Sequence, residues 1–236
     1  MISWKFKLLK KDNNLNHIAI ILDGNQRWSN KKKINISKGY KEGLNKIDEI
    51  LKASLDLKIN YLTLFTLSSE NFKRNSLNLI YDIISTYFNE FIEKIVNEKK
   101  IKIKIIGKRE NLPIKIIKIF KECEKLTKDN KELELFFAFN YGFKEELKAA
   151  LLKFRDNINI NLNNRKKIDE LFFLNKCPDP DLLIRTGGYR RLSNFIMYNL
   201  TYTELFFTKT LWPDFTTEEF NKIINEYKTI NRKYGL

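Results

Sequence analysis

The chain has 236 residues, a formal net charge of +15 and 43% hydrophobic residues, with aromatics at 13%. That apolar content excludes a disordered chain, and the length suits a single α/β domain spanning 1–236. Two cysteines without CxxC spacing and a lone histidine, His17, exclude a disulfide framework, a His-rich metal site and a Ser-His-Asp triad.

The N-terminal segment, residues 1–16, begins MISWKFKLLKK, mixing Trp4, Phe6, Leu8 and Leu9 with lysines. It lacks the long apolar core and cleavage site of a signal peptide, which leaves a first helix or a segment lying on a membrane surface. No run of about 18 apolar residues follows, so a cytoplasmic, at most membrane-associated protein is expected. Ile18–Leu22 reads as a buried strand that stops at Asp23-Gly24-Asn25. A helix is expected from Gly39 to Lys58, where Leu44, Ile47, Ile50, Leu51 and Leu55 recur at helical spacing. Tyr61–Leu67 is an apolar strand ending in Ser68-Ser69-Glu70-Asn71. The stretch 76–98 is the clearest helix, with Leu77, Ile80, Ile84, Tyr87, Phe88, Phe91 and Ile95 on one wide stripe. Ile101–Ile106 alternates strictly, as a half-buried strand at a sheet edge does. Pro113 opens a further helix, and LELFFAFNYG is a strand followed by another. The asparagine-rich stretch from Asn157 to Lys167 reads as a loop. DLLIR and YTELFF are the last strands, and 216–229 the last helix. This alternation predicts one α/β domain: a mostly parallel six-stranded sheet with helices on both faces.

Ligands of such sheets bind outside the carboxyl ends of the strands. Three strand ends here carry polar chemistry: Asp23-Gly24-Asn25-Gln26-Arg27, then Ser68-Ser69-Glu70-Asn71 with Arg74, then Arg185-Thr186-Gly187-Gly188 with Arg190, Arg191 and Ser193. Arginine forks match phosphate oxygens, and glycines let backbone N–H groups approach an anion. An aspartate among arginines suits a hard cation, and Mg²⁺ takes few carboxylates plus phosphate oxygens. Each segment alone also reads as an ordinary turn; their recurrence points to a site for a Mg²⁺-bound diphosphate with a second anion nearby. Neither GxxxxGKS nor GxGxxG occurs. The cationic excess has two further readings, compositional drift toward Lys, Asn and Ile, and nucleic-acid binding. The second fits poorly, because the aromatics lie within apolar runs rather than between basic residues.

The stretches HIAIILDGNQRW, GYKEG, LTLFTLSSENFKR, IKIIG, FNYG, DLLIRTGGYRRLSNF and YTELFFTKTLWPDF resemble the cis-prenyltransferase family, which includes the bacterial undecaprenyl diphosphate synthases. The resemblance covers most of 17–215. It implies Mg²⁺-dependent condensation of isopentenyl diphosphate onto an allylic diphosphate, usually farnesyl diphosphate, with cis double bonds, by a homodimer and without nucleic acid. The long polyprenyl product brings a peripheral contact with membrane. Asp23 matches the metal-binding aspartate and Asn71 an asparagine linked to proton removal. Gly24, Asn25, Gln26, Arg27 and Trp28 match the allylic diphosphate cradle, joined by Ser68, Ser69, Glu70, Phe72 and Arg74. Arg185, Arg191, Leu192 and Ser193 match the isopentenyl diphosphate site, and Glu204 a second metal-linked carboxylate near the dimer contact. A growing apolar chain needs a dry tunnel, for which the 76–98 stripe and Phe136, Phe137 and Phe139 are the expected walls.

The chain departs from the family pattern at Ile36, where arginine is usual, Tyr40 (histidine) and Tyr189 (glutamate), and also at Gln26, Phe72, Asn75 and Lys233. The losses at 36, 40 and 189 remove polar or charged groups from the diphosphate sites. A non-catalytic subunit supporting a partner is the alternative, and the retention of Asp23 and Arg27 weighs against it.

Overall fold

The computed structural model describes residues 14–70, 81–82, 86, 89–110, 112–157 and 160–232. It is one α/β domain built on a six-stranded, all-parallel sheet in the order β3-β4-β2-β1-β5-β6. The strands are β1 (His17–Ile21), β2 (Tyr61–Ser68), β3 (Ile101–Ile106), β4 (Leu133–Tyr141), β5 (Leu182–Arg185) and β6 (Glu204–Phe207). Among the described residues the α-helices are α1 (Asn25–Lys32), α2 (Ile36–Asp56), α3 (Asn89–Glu98), α4 (Ile114–Leu126), α5 (Phe143–Asp156), α6 (Arg165–Asp169) and α7 (Thr217–Thr229).

β1 is buried along its whole length because it is central and covered on both faces. β3 alternates buried and half-buried residues as the edge strand that its pattern predicts. One face carries the larger core. There Ile18, Ile20, Leu62, Leu64, Phe137 and Phe139 pack with α2, α3, α4 and α7 through Ile50, Phe91, Phe120 and Phe220. On the other face Ala19, Ile21, Phe65 and Phe136 meet Leu174, Phe195 and Ile196. The strand period therefore separates Phe136 from Phe137 and Phe139, so the three do not line one wall.

Three boundaries differ from expectation. Helix α1, eight residues with only Trp28 and Ser29 buried, has no apolar periodicity to betray it. Helix α2 starts at Ile36 rather than Gly39, because the Asn35 side chain accepts from Ser37 N and caps it. Asn164 likewise caps α6 inside the stretch expected to be loop, accepting from Lys166 N. Of the helix expected at 76–98, α3 is the continuous described part; Leu77, Ile80, Ile84, Tyr87 and Phe88 lie outside the described residues, as do Trp4, Phe6, Asn75 and Lys233.

From β1 the chain moves to β2 on one side, while β5 lies on the other. The strand order thus reverses at the carboxyl ends of β1 and β5, the place where a doubly wound sheet leaves a crevice.

Candidate active site

That crevice is a cavity of about 670 Å³ lined by the ends of β1, β2 and β5 and the start of α1. Its centre is Asp23. Arg27 Nη2 donates to one carboxylate oxygen at 2.9 Å and Arg185 Nη2 to the other at 2.9 Å. The two arginines come from opposite sides of the switch point, and Asp23 holds them together.

The local chain dictates this geometry. Gly24 has φ +127°, a conformation open to glycine, and lets the chain turn from β1 into α1 within one residue. The turn is clamped by Thr186: its hydroxyl accepts from Asp23 N at 3.0 Å and donates to Asp23 O at 2.9 Å. Trp212 N adds a bond to the same carbonyl at 3.1 Å. Gly187, at φ +84°, is required for a second reason: a Cβ there would lie 2.9 Å from the Asp23 carbonyl oxygen, a backbone atom fixed by the turn. Its carbonyl accepts from Arg27 Nη1 at 2.7 Å. The α1 N-terminus opens into the cavity with no acidic residue in its first turn, and its unpaired N–H groups make it an anion-receptive end.

Arg185 is the most buried cation of the site, its side chain only 3% exposed. Its Nη1 donates to Ser193 Oγ at 2.7 Å and to the Arg191 carbonyl, while Nε has no partner among the described residues. Ser193, Asn194 and Ile196 all carry positive φ, a strained loop of the kind found where geometry serves function. Asn194, not singled out from the sequence as a site residue, ties this loop down. Its Oδ1 accepts from Lys144 N and its Nδ2 donates to Glu70 at 2.8 Å. Partial burial would raise the Glu70 carboxyl, but the bonds from Asn194 and the neighbouring serines outweigh it and hold the group below its usual range. The only pointer to Asn194 in the sequence is its place in RLSNF.

Of the expected site residues, Asp23, Gly24, Asn25, Gln26, Arg27, Ser68, Glu70, Arg185, Arg191 and Ser193 line this one cavity, with Tyr40 and Tyr189. Trp28 does not: it is buried, and its Nε1 donates to Asp214 at 2.7 Å, fastening α1 to the turn at Trp212–Asp214. Ser69 reaches toward Glu70 from outside the lining, and Leu192 packs on the core beneath. Glu204 opens β6 and pairs in register with Leu182, whereas Arg185 pairs with Phe207, so Glu204 sits at the far end of these strands from Asp23. Asn71, Phe72 and Arg74 lie outside the described residues.

Among the described residues no cluster of three or more His, Cys, Asp or Glu side chains occurs that would hold a metal by itself. The site does suit a metal that arrives with a diphosphate. Asp23 is half-buried on the cavity wall, and each carboxylate oxygen keeps lone pairs beyond its one arginine bond. One carboxylate completed by phosphate oxygens is a donor set that Mg²⁺ accepts.

The family described as "Putative undecaprenyl diphosphate synthase" matches residues 21–235. The chain is 36% identical to an isoprenyl transferase of Thermotoga maritima over 228 residues, 93% of this chain and 96% of that one. It is 37% identical to an isoprenyl transferase of Staphylococcus haemolyticus, over 93% of this chain and 88% of that one. Its fold superposes on the crystal structure of lavandulyl diphosphate synthase from Lavandula x intermedia in complex with dimethylallyl diphosphate. The TM-score is 0.87 at 28% identity, over 95% of this chain and 100% of that one.

Proposed function

The chain belongs to the undecaprenyl diphosphate synthase family of prenyl transferases, and from that premise we propose that it condenses isopentenyl diphosphate repeatedly onto an allylic diphosphate, farnesyl diphosphate being the expected starter. Each new double bond is cis, and the product is a long-chain polyprenyl diphosphate. The observation that carries this reading is the junction of Arg27, Asp23 and Arg185 at the floor of one cavity, with the α1 N-terminus beside it.

In each round the allylic C–O bond breaks, a C–C bond forms to the terminal carbon of isopentenyl diphosphate, one proton leaves, and the departing diphosphate takes the C–O electron pair. Arg27 and the α1 amides meet the departing oxygens, where charge accumulates, and fixed donors at that position lower the barrier most. Arg185, Arg191 and Ser193 hold the second diphosphate and so orient the attacking double bond. Asp23 is the residue that would hold Mg²⁺; the chemistry such an ion supplies is neutralisation of charge on the leaving diphosphate. Within one chain Glu204 stands outside that set, and its metal role requires a second copy. A homodimer is supported by the exposed leucines of α5, Leu147, Leu151 and Leu152. The cation left on the allylic carbon must be kept from water, so an apolar tunnel beside the larger core that α3 covers belongs to the proposal. Contact of the product with a membrane is peripheral: among the described residues no helix is long and apolar enough to cross one.

The test is incorporation of labelled isopentenyl diphosphate into solvent-extractable product with farnesyl diphosphate. Incorporation should require Mg²⁺ and stop with a chelator. A fully folded protein that incorporates no label with any allylic diphosphate would instead support the non-catalytic subunit.

A further inference from the structure

Tyr189 stands in the mouth of the same cavity with three guanidinium groups around its ring: Arg191 at 4.4 Å from the centroid, Arg27 at 4.8 Å and Arg185 at 5.7 Å. One carboxylate, Asp23, lies among them. Three like charges gathered round one ring, with Asp23 bonded to two of them, repel one another, and something must hold them there until an anion arrives. Arg185 is fixed by Ser193, the Arg191 carbonyl and Asp23, and Arg27 by Asp23 and Gly187. Arg191 has much weaker support: it is exposed, and among the described residues its one side-chain hydrogen bond is a long 3.4 Å contact to Ser193 Oγ. The ring face of Tyr189 is the second contact that orders it. An aromatic face attracts a cation without neutralising it, whereas a carboxylate in its place would form ion pairs and cancel the charge that a diphosphate needs.

We propose that Tyr189 is a positioning residue whose ring gathers Arg27 and Arg191, from the two halves of the cavity, into one receptive cradle for diphosphate. The inference rests on the reading of the cavity as a diphosphate site. It assigns the effect to the ring and not to the hydroxyl, which makes it separable by substitution. Tyr189→Phe keeps the aromatic face; Tyr189→Leu keeps apolar bulk but has no such face. The residue is 44% exposed, so both variants should fold.

The experiment is calorimetric titration of the whole protein with inorganic pyrophosphate in the presence of a chelator, so that only the protein's own cations contribute. Tyr189→Phe should bind within about twofold of wild type. Tyr189→Leu should bind about five- to tenfold more weakly, the sum of two or three cation–ring contacts at a partly exposed site. Tyr189→Glu should be weaker still. Equal affinities for the Phe and Leu variants, with wild type binding normally, would overturn the role of the ring. Failure of wild type itself to bind pyrophosphate would overturn the diphosphate reading beneath it. In steady-state assays the Leu variant should raise KM for the diphosphates more than it lowers kcat, a split that a merely structural role would not produce.

Discussion

Thr186 contributes to the site without facing the cavity. Fully buried, it accepts from the Asp23 amide and donates to the Asp23 carbonyl. Thr186→Val removes both bonds at almost constant shape, while the Asp23 amide keeps its bond to the Ile21 carbonyl and the Asp23 carbonyl its bond from Trp212 N, so the cost is about 0.5–1.5 kcal/mol. Because those groups fix the turn that aims the carboxylate, activity should fall more than stability alone accounts for. Denaturant unfolding and kcat/KM measured on the same preparation check this, and normal kcat/KM in a destabilised protein would show that the clamp is only structural. Asp23 itself is the opposite case. Its carboxylate stands at a strand tip, 26% exposed, where the leaving group's charge is managed, but it is also the charged partner of buried Arg185. Asp23→Asn, which keeps the shape, should retain native circular dichroism with a modestly lower melting temperature while losing on the order of 10²-fold or more in turnover.

At the scale of elements, the sheet was legible because its inner strands, buried on both faces, are short apolar runs and its edge strands β3 and β6 still carry enough apolar residues to stand out. The site was legible because three such runs end in arginine, glycine and hydroxyl residues, and the sheet brings those ends to one crevice. Helix α1 was not, since a helix that buries only Trp28 and Ser29 leaves no periodic trace. Nor was the face on which each phenylalanine of β4 points relative to the helices, which depends on how the strand is packed. Phe139 illustrates the difference. From the sequence it is expected among the walls of the tunnel. Its ring is 6% exposed and meets Phe120 of α4 edge-on at 5.2 Å, deep in the larger core. Phe139→Ala should therefore lower stability by roughly 3–5 kcal/mol, the usual cost of emptying a packed aromatic site. Thermal melts and product chromatography together decide the point: a longer product with little loss of stability would identify the ring as a tunnel floor.

At the scale of the molecule, the lone histidine couples folding to pH. His17 opens the central strand with Nδ1 2.7 Å from the Pro178 carbonyl and Nε2 2.8 Å from Thr63 Oγ1. Burial depresses its pKa from 6.5 to about 4, against the smaller opposing effects of the Pro178 bond and the charge on Asp181. The unfolded chain therefore binds a proton near pH 6.5 that the folded chain refuses until about pH 4. Stability should be complete above pH 6.5 and fall as pH drops through this window, by up to about 3 kcal/mol. Buried Glu146, whose carboxyl is raised by burial, acts with the opposite sign, so the informative quantity is the difference between wild type and His17→Gln. The variant should show a flatter profile between pH 4 and 6.5 in urea unfolding; parallel profiles would mean that His17 does not carry the dependence. The central claim concerns what the crevice at the middle of this sheet makes. Mass spectrometry of the products formed from farnesyl diphosphate and excess isopentenyl diphosphate with Mg²⁺ tests it most directly. The expected result is a ladder of polyprenyl diphosphates spaced by one five-carbon unit, with one pyrophosphate released per unit added. Pyrophosphate released without any carbon–carbon product, or no reaction at all from a fully folded protein, would contradict it.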